Sequence, residues 1–188
     1  MNSKKRVLCL LAPGFEEIEA ITPVDLLRRA GVEVTLAAVE DASLVTGRNG
    51  LTLKADATLD AILSIRGEAL EGYDLLLLPG GPGVENLRRH GAAARLARTF
   101  IGSSRPVAAI CAAPLVLADA GLLEGRRFTA HFSVHNALPG ALGDERVVEE
   151  GDLITSRGAG TALDFGLALI TRLLGSEAAE EVAASVMA

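Results

Sequence analysis

The sequence contains no tryptophan, one tyrosine and five phenylalanines, so aromatics supply only 3% of a chain that is 49% hydrophobic. Its core must therefore be built from Leu, Val, Ile and Ala. Cysteine is equally scarce. Two residues, Cys9 and Cys111, cannot form a disulfide framework, and a reducing compartment would keep both as thiols. Neither C-x-x-C nor H-E-x-x-H occurs, which argues against a structural or catalytic metal, and G-x-G-x-x-G and G-x-x-x-x-G-K-[ST] are absent too. No cofactor is expected. An excess of positive charge is also missing. The net charge of −6 disfavours a general nucleic-acid or anionic-membrane binder, although a local site could still hold a small anion. Long apolar runs are lacking as well. Lys4-Lys5-Arg6 followed by Val7 to Ala12 superficially resembles a signal peptide, but the run ends after six residues at Pro13-Gly14 and acidic residues follow at once. That is too short for a signal-peptide core or a membrane span, and points to a cytoplasmic protein.

What is present is a chain of 188 residues, long enough for a sizeable core and read as a single domain over 1–188. Its 20 glycines lie near hydrophobic runs, as expected of tight turns at strand ends. Val7 to Ala12 reads as a buried parallel strand, Glu16 to Ala30 as a helix stopped at Gly31, and Val32 to Val39 as a second strand. Within the helix, Pro23 either starts a new helical turn or kinks one helix. Leu44 to Leu53, broken by Gly47 and Asn49-Gly50, suggests short irregular strands or a hairpin. Further strands are expected at Asp74 to Leu78, Pro106 to Ile110, Phe128 to Ala130, and the pair 146–148 and 153–155 turned at Glu150-Gly151. Helices are expected over 84–99, 114–120, 161–174 and 177–186. This alternation, opened by a β-α-β unit, predicts a doubly wound α/β domain with ligands bound beyond the carboxyl ends of the strands.

Three segments meet at that edge: Pro13 to Glu19, Gly80 to Gly83, and Cys111 to Pro114. Cys111 directly follows a buried strand and precedes a helix, the position of a nucleophile elbow. A helix N-terminus favours thiolate over thiol, so ionisation well below the usual ~8.5 is expected. The bland alternative is a small buried hydrophobe. Cys9 lies mid-strand and reads as inert core. Glu16, Glu17 and Glu19 can simply complement a helix dipole. Three carboxylates in four residues exceed that need, and one of them can turn toward Cys111. At about 100° per residue, Glu16 and Glu19 share a face while Glu17 points elsewhere. Glu19, flanked by Ile18 and Ala20, is the better candidate for burial, which would raise its pKa. Gly80-Gly81 can aim backbone N–H groups at a ligand oxygen, or be a plain turn. His131 can reach the same edge as an acid or base, or be structural; His90 and His135 have no supporting context and are read as structural.

These residues carry a resemblance. Ala12 to Ala20, Pro23 to Gly31, Leu78 to Gly81, Ala108 to Pro114 and Thr155 to Thr161 are similar, in order and over essentially the whole chain, to the motifs of the ThiJ/PfpI (DJ-one) superfamily. The nearest branch resembles that of YajL and the human parkinsonism-associated deglycase. The resemblance implies a flavodoxin-like three-layer α/β/α sandwich with a mostly parallel sheet, and a homodimer. It also implies a reactive Cys111, a protonated Glu19 beside it, and His131 as a site histidine. Gly80, Gly81 and Ala112 would supply substrate or oxyanion contacts, and Arg28 and Arg48 would lie at the dimer interface. Two departures stand out. Ala159 replaces a proline of several relatives, and Ala112 stands where the peptidase branch has histidine.

Three activities compete on these residues. The first is a cofactor-independent glyoxalase or deglycase, in which Cys111 attacks a methylglyoxal-type aldehyde or its protein adduct while Glu19 or His131 moves protons. The second is a redox sensor or protective chaperone in which Cys111 is oxidised to sulfenate or sulfinate. The third, amidotransferase or peptidase chemistry, ranks last because no histidine follows Cys111.

Overall fold

The computed structural model describes residues 4–64 and 68–188. The first strand, β1 (Arg6–Leu11), is followed by α1 (Glu17–Arg29) and β2 (Glu33–Ala38), which lies parallel to β1. Next come the antiparallel hairpin β3 (Leu44–Thr46) and β4 (Thr52–Lys54), then the short β5 (Ala57–Thr58), α2 (Leu59–Ser64) and α3 (Glu68–Glu71). The second half runs β6 (Leu75–Leu78), α4 (Val84–His90), α5 (Ala92–Gly102), β7 (Val107–Ile110), α6 (Pro114–Asp119), β8 (Val147–Glu150), β9 (Leu153–Ser156), α7 (Ala162–Leu174) and α8 (Ser176–Ser185). Seven strands form one sheet in the order β5-β2-β1-β6-β7-β9-β8, parallel except for the antiparallel β8–β9 pair.

Strand periodicity divides the core into two layers. Leu8, Leu10, Leu76 and Leu78 face one side, where Leu87, Phe100 and Val116 of α4, α5 and α6 cover them. Val7, Cys9, Leu11, Leu75 and Leu77 face the other, against Leu27 of α1, Phe165 and Leu169 of α7 and Val182 of α8. The α1–α7 approach is close. A Cβ at Gly166 would come within 2.6 Å of Leu26 Cδ1 and 3.1 Å of Pro23 Cα. Pro23 neither ends nor restarts α1, which runs through it as one helix. The missing N–H leaves the Glu19 carbonyl without its ordinary helical donor.

Three expectations change. The run 84–99 is two helices, because Gly91 turns left-handed (φ +71°) and caps α4 through its N–H to Arg88 O and Leu87 O. Phe128 to Ala130 forms no strand: β7 is flanked by β6 and β9, and β9 by β7 and β8, so neither has a free side for it, and it does not add to the outer strands β5 or β8. Instead the Thr129 N–H donates to the Thr155 hydroxyl at 3.0 Å, and Phe128 O accepts from Leu142 N–H at 2.9 Å. Finally, β5, α2 and α3 are additional to the expected elements. Among the described residues no helix is long and apolar enough to cross a membrane.

Strand order reverses beside β1: β2 lies on one side of it and β6 on the other. The loops leaving β1, β6 and β7 therefore meet at a topological switch point, where α/β sheets open a crevice.

Candidate active site

Cys111 occupies that crevice. Its φ is +67°, a left-handed conformation that costs a non-glycine residue about 1–3 kcal/mol and persists only where its surroundings enforce it. They do so here through the backbone. Cys111 N–H donates to Ser156 O at 2.8 Å, and Cys111 O accepts from His131 N–H at 2.8 Å. The elbow is thus stitched to β9 on one side and to the loop before the 3-10 turn Phe132–Val134 on the other. Cys9, by contrast, has no exposure, and burial pushes its thiol up to about 12.

The three glutamates of the β1–α1 connection are all buried and do three different things. Glu16 is the N-cap of α1, its Oε2 accepting the Glu19 N–H at 2.9 Å. Glu17 turns to the hairpin and accepts from Asn49 N–H at 2.6 Å, Asn49 Nδ2 at 2.9 Å and Leu51 N–H at 3.4 Å. Burial alone would raise its carboxyl, but these bonds and one from its own backbone outweigh burial and hold it below the usual range. Glu19 is the carboxyl beside Cys111. Burial raises it from 4.5 to about 7, helped by the charge of Glu16 and opposed by the Cys111 thiol and the N–H groups of Gly80 and Ala159. Those groups act as dipoles rather than as well-formed bonds, because Glu19 Oε2 is buried with no partner in ordinary hydrogen-bond geometry among the described residues. An orphaned carboxylate oxygen is costly; protonated, the same oxygen becomes a donor with the sulfur as its acceptor.

Burial, then the Glu19 charge and the closeness of its carboxyl, push the Cys111 thiol up to about 12, against the lowering by the Gly81 and Ala112 N–H groups. The helix-end expectation of a depressed thiol therefore fails while Glu19 is charged. α6 begins three residues later, at Pro114, and the sulfur faces a carboxyl. The two groups titrate as a pair, and once one of them has lost its proton the resulting charge holds the other's on.

The glycines differ in their work. The Gly81 N–H, with that of Ala112, bears on the sulfur, whereas the Gly80 N–H bears on Glu19. At Gly80 a Cβ would run into Glu19 Oε2 and come within 2.6 Å of Cys111 Cβ, so the carboxyl and thiol meet over a residue without a side chain. His131 lines the same cleft. Its Nδ1 lies 2.8 Å from Ser133 Oγ and accepts the Ser133 N–H at 3.3 Å, which places the neutral ring's proton on Nε2. Burial, then the charges of Arg48 and His135, hold its pKa below the ordinary histidine value, so the ring is neutral near pH 7. His135 is bonded through Nε2 to Ala130 O at 3.0 Å.

The two arginines separate. Arg48 is exposed at the hairpin tip, where its N–H donates to Phe15 O at 2.9 Å, and it lines the cleft with Glu19 and Cys111. Arg28 is not in the cleft; it bonds Val34 O at 3.0 Å and pairs with Asp56 at 3.7 Å. Several contributors escaped the sequence reading. Ser133 fixes the His131 tautomer, and the Ser156–Thr161 hydroxyl pair (2.6 Å) anchors the 3-10 turn Ala159–Thr161 that presents Ala159 N–H to Glu19. Only the late motif hinted at the last of these. No group of three His, Cys, Asp or Glu side chains among the described residues is placed to hold a metal ion.

This arrangement has close counterparts. The DJ-1/PfpI family model matches residues 5–172. Protein dj-1beta of Drosophila melanogaster is 36% identical over 187 residues, covering 97% of each chain. Deglycase PfpI of Pyrococcus furiosus is 34% identical over 158 residues, covering 82% of this chain and 91% of that one. Among solved structures, oxidized Toxoplasma gondii DJ-1 superposes with a TM-score of 0.88 at 35% identity, covering 97% of this chain and 98% of that one. The parallel sheet, the elbow cysteine and the sequence matches lead to one conclusion: the chain belongs to the DJ-1/PfpI family.

Proposed function

We propose that the protein is a cofactor-independent, cysteine-dependent enzyme acting on methylglyoxal-type aldehydes or their protein adducts, as a glyoxalase or deglycase. One observation carries this reading: a buried carboxyl raised to about 7 stands against a thiol on a strained elbow. Such a pair shares one negative charge near neutrality, with the sulfur as nucleophile and Glu19 as proton donor. Cys111 adds to the aldehyde carbon, and Glu19 gives its proton to the oxygen, forming a hemithioacetal. The hydrogen on that carbon leaves as a proton, to Glu19 or to neutral His131, and a proton is returned to the adjacent carbonyl carbon. The product is a lactoyl thioester. Water then cleaves the S–C bond, releasing lactate and restoring the thiol, with no external oxidant or reductant. The Gly81 and Ala112 N–H groups stabilise the oxyanion or the sulfur. A relative carrying the name Deglycase PfpI supports this class of activity. Ala112, in place of a histidine, disfavours peptidase chemistry.

The same sulfur suits reversible oxidation, since Glu19 and two backbone amides surround it, and a similar structure is described as oxidized. A pH–rate profile with methylglyoxal for the wild type and Cys111→Ser separates the readings. Cysteine-dependent release of lactate over many turnovers supports the enzyme. Stoichiometric peroxide oxidation without turnover supports the sensor.

We also infer a homodimer. Ile18 and Ile21 of α1 and Leu44 and Leu51 of the hairpin are large apolar side chains left exposed, and Glu17 ties α1 to that hairpin, so the two elements offer apolar surface to a second copy. Arg28, which the resemblance assigns to the interface, has its partners Val34 O and Asp56 within the chain.

A further inference from the structure

The Cys111 cleft, about 340 Å³, shares two wall residues, His131 and Ala159, with a second cavity of about 400 Å³. Each has the ~300–1,000 Å³ size of a small-molecule pocket. A three-carbon aldehyde needs only the Cys111 side, so the second volume is unused by the chemistry above. The two clefts adjoin at these residues, with no bulky side chain other than the His131 ring between them. Ala159 contributes a single methyl, and the His131 ring is tied by Ser133 and rests 4.2 Å from the ring of Phe132.

The far cavity has a definite chemistry. It is lined by Arg157, His135 and Phe132 together with glycine backbone, and by no aspartate or glutamate, on a protein of net charge −6. Arg157 follows β9 at the same carboxyl edge as Cys111. Its guanidinium makes one 3.3 Å bond, to Gly143 O, and no ion pair among the described residues. A guanidinium has five donors in a planar fork matched to a carboxylate, so most of that capacity is free. Phe132, 77% exposed, adds an apolar ring to the same lining.

We propose that this cavity is a substrate subsite that holds the carboxylate of a carbonyl compound whose reactive carbon lies at Cys111. This rests on the aldehyde-handling reading and sharpens it. The favoured substrates are α-oxoaldehyde adducts of free amino acids or of a chain's C-terminal residue, which carry a carboxylate within a few bonds. Methylglyoxal alone and mid-chain adducts leave the subsite empty.

The test uses equilibrium binding to Cys111→Ser, with para-acetylbenzoate and para-acetylbenzamide as unreactive probes. The carboxylate should bind about tenfold tighter, equivalent to about 1.4 kcal/mol. Adding Arg157→Gln should erase the difference, and Arg157→Lys should keep part of it. Equal binding of the two probes would overturn the proposal, as would a preference that survives Arg157→Gln or is lost instead in Arg48→Gln. Methylglyoxal turnover by the wild type is measured alongside. Turnover without the carboxylate preference defeats the subsite alone, whereas an Arg157-dependent preference without turnover defeats the enzymatic reading and leaves the carboxylate site standing.

Discussion

Glu19 is buried at a cost, and Glu19→Gln should return it as stability while removing activity. Its carboxyl rises from 4.5 to about 7 on folding, so between those pH values the native protein binds more protons than the unfolded chain. Stability then falls as pH rises through that window. At about 1.4 kcal/mol per pH unit, the cost above pH 7 is about 3 kcal/mol. The figure does not depend on whether the charge rests on oxygen or on sulfur, because linkage counts only protons, and the charge left by the first holds the second proton on. Glutamine fills the same space, offers an N–H₂ to the sulfur, and carries no charge.

Urea unfolding of Glu19→Gln and wild type at about pH 8 and about pH 4.5 measures this. The variant should be more stable by up to about 3 kcal/mol at the higher pH and close to wild type at the lower, where both side chains are neutral. Methylglyoxal turnover should drop by about 10²–10⁴-fold, the usual worth of a positioned proton donor. A variant no more stable at pH 8 than at pH 4.5, relative to wild type, would refute the buried-carboxyl argument. Wild-type turnover in Glu19→Gln with loss in Cys111→Ser would refute the proton-shuttle mechanism.

Glu17→Gln should behave oppositely: the hairpin clamp weakens and stability falls by about 1–3 kcal/mol at neutral pH, seen as a lower urea midpoint. Gly80→Ala should lose both stability and turnover, because its Cβ would lie 2.6 Å from Cys111 Cβ and 2.8 Å from Ile110 O; an active variant of unchanged Tm would show that the site is looser than described. Light scattering at micromolar concentration should report about twice the 19.5 kDa chain mass, and a stable monomer would end the dimer reading. Activity should survive extensive chelation and dialysis; loss restored by one added metal would overturn the cofactor-independent mechanism.

The fold was legible wherever an apolar run ended in a turn residue. Val7 to Ala12 and the leucines of β6 can only be buried on both faces, and the glycines and prolines after them mark the crevice edge. The failures have physical causes. Gly91 is tolerable inside a helical pattern, and only its left-handed φ reveals a cap. Phe128 to Ala130 has strand composition, but β9, which Thr129 contacts, already has a neighbour on each side, and that is a property of the whole topology. The elements in 55–71 are two to six residues long, too short for periodicity to show.

The site was legible as a neighbourhood, but its energetics were not. Helix phase turns Glu19 toward Cys111 and Glu17 elsewhere, and that is how the two side chains lie. Phase says which way a side chain leaves its helix; it is silent on what waits there. For Glu17 that is the backbone of a hairpin 32 residues further along, whose N–H groups turn a buried carboxylate into a clamp. The thiol was misjudged for a related reason. A helix N-terminus is local in sequence and easily read, whereas the carboxyl that outweighs it arrives from α1 through the tertiary fold. Glu17 and Glu19 are both buried, both on α1 and two residues apart, and one is driven below the usual carboxyl range while the other is raised to about 7. The difference lies in the donors each one meets. Three from the hairpin satisfy Glu17, while an orphaned oxygen leaves Glu19 to hold a proton. An acid poised near neutrality beside a thiol is made by withholding hydrogen bonds as much as by supplying them.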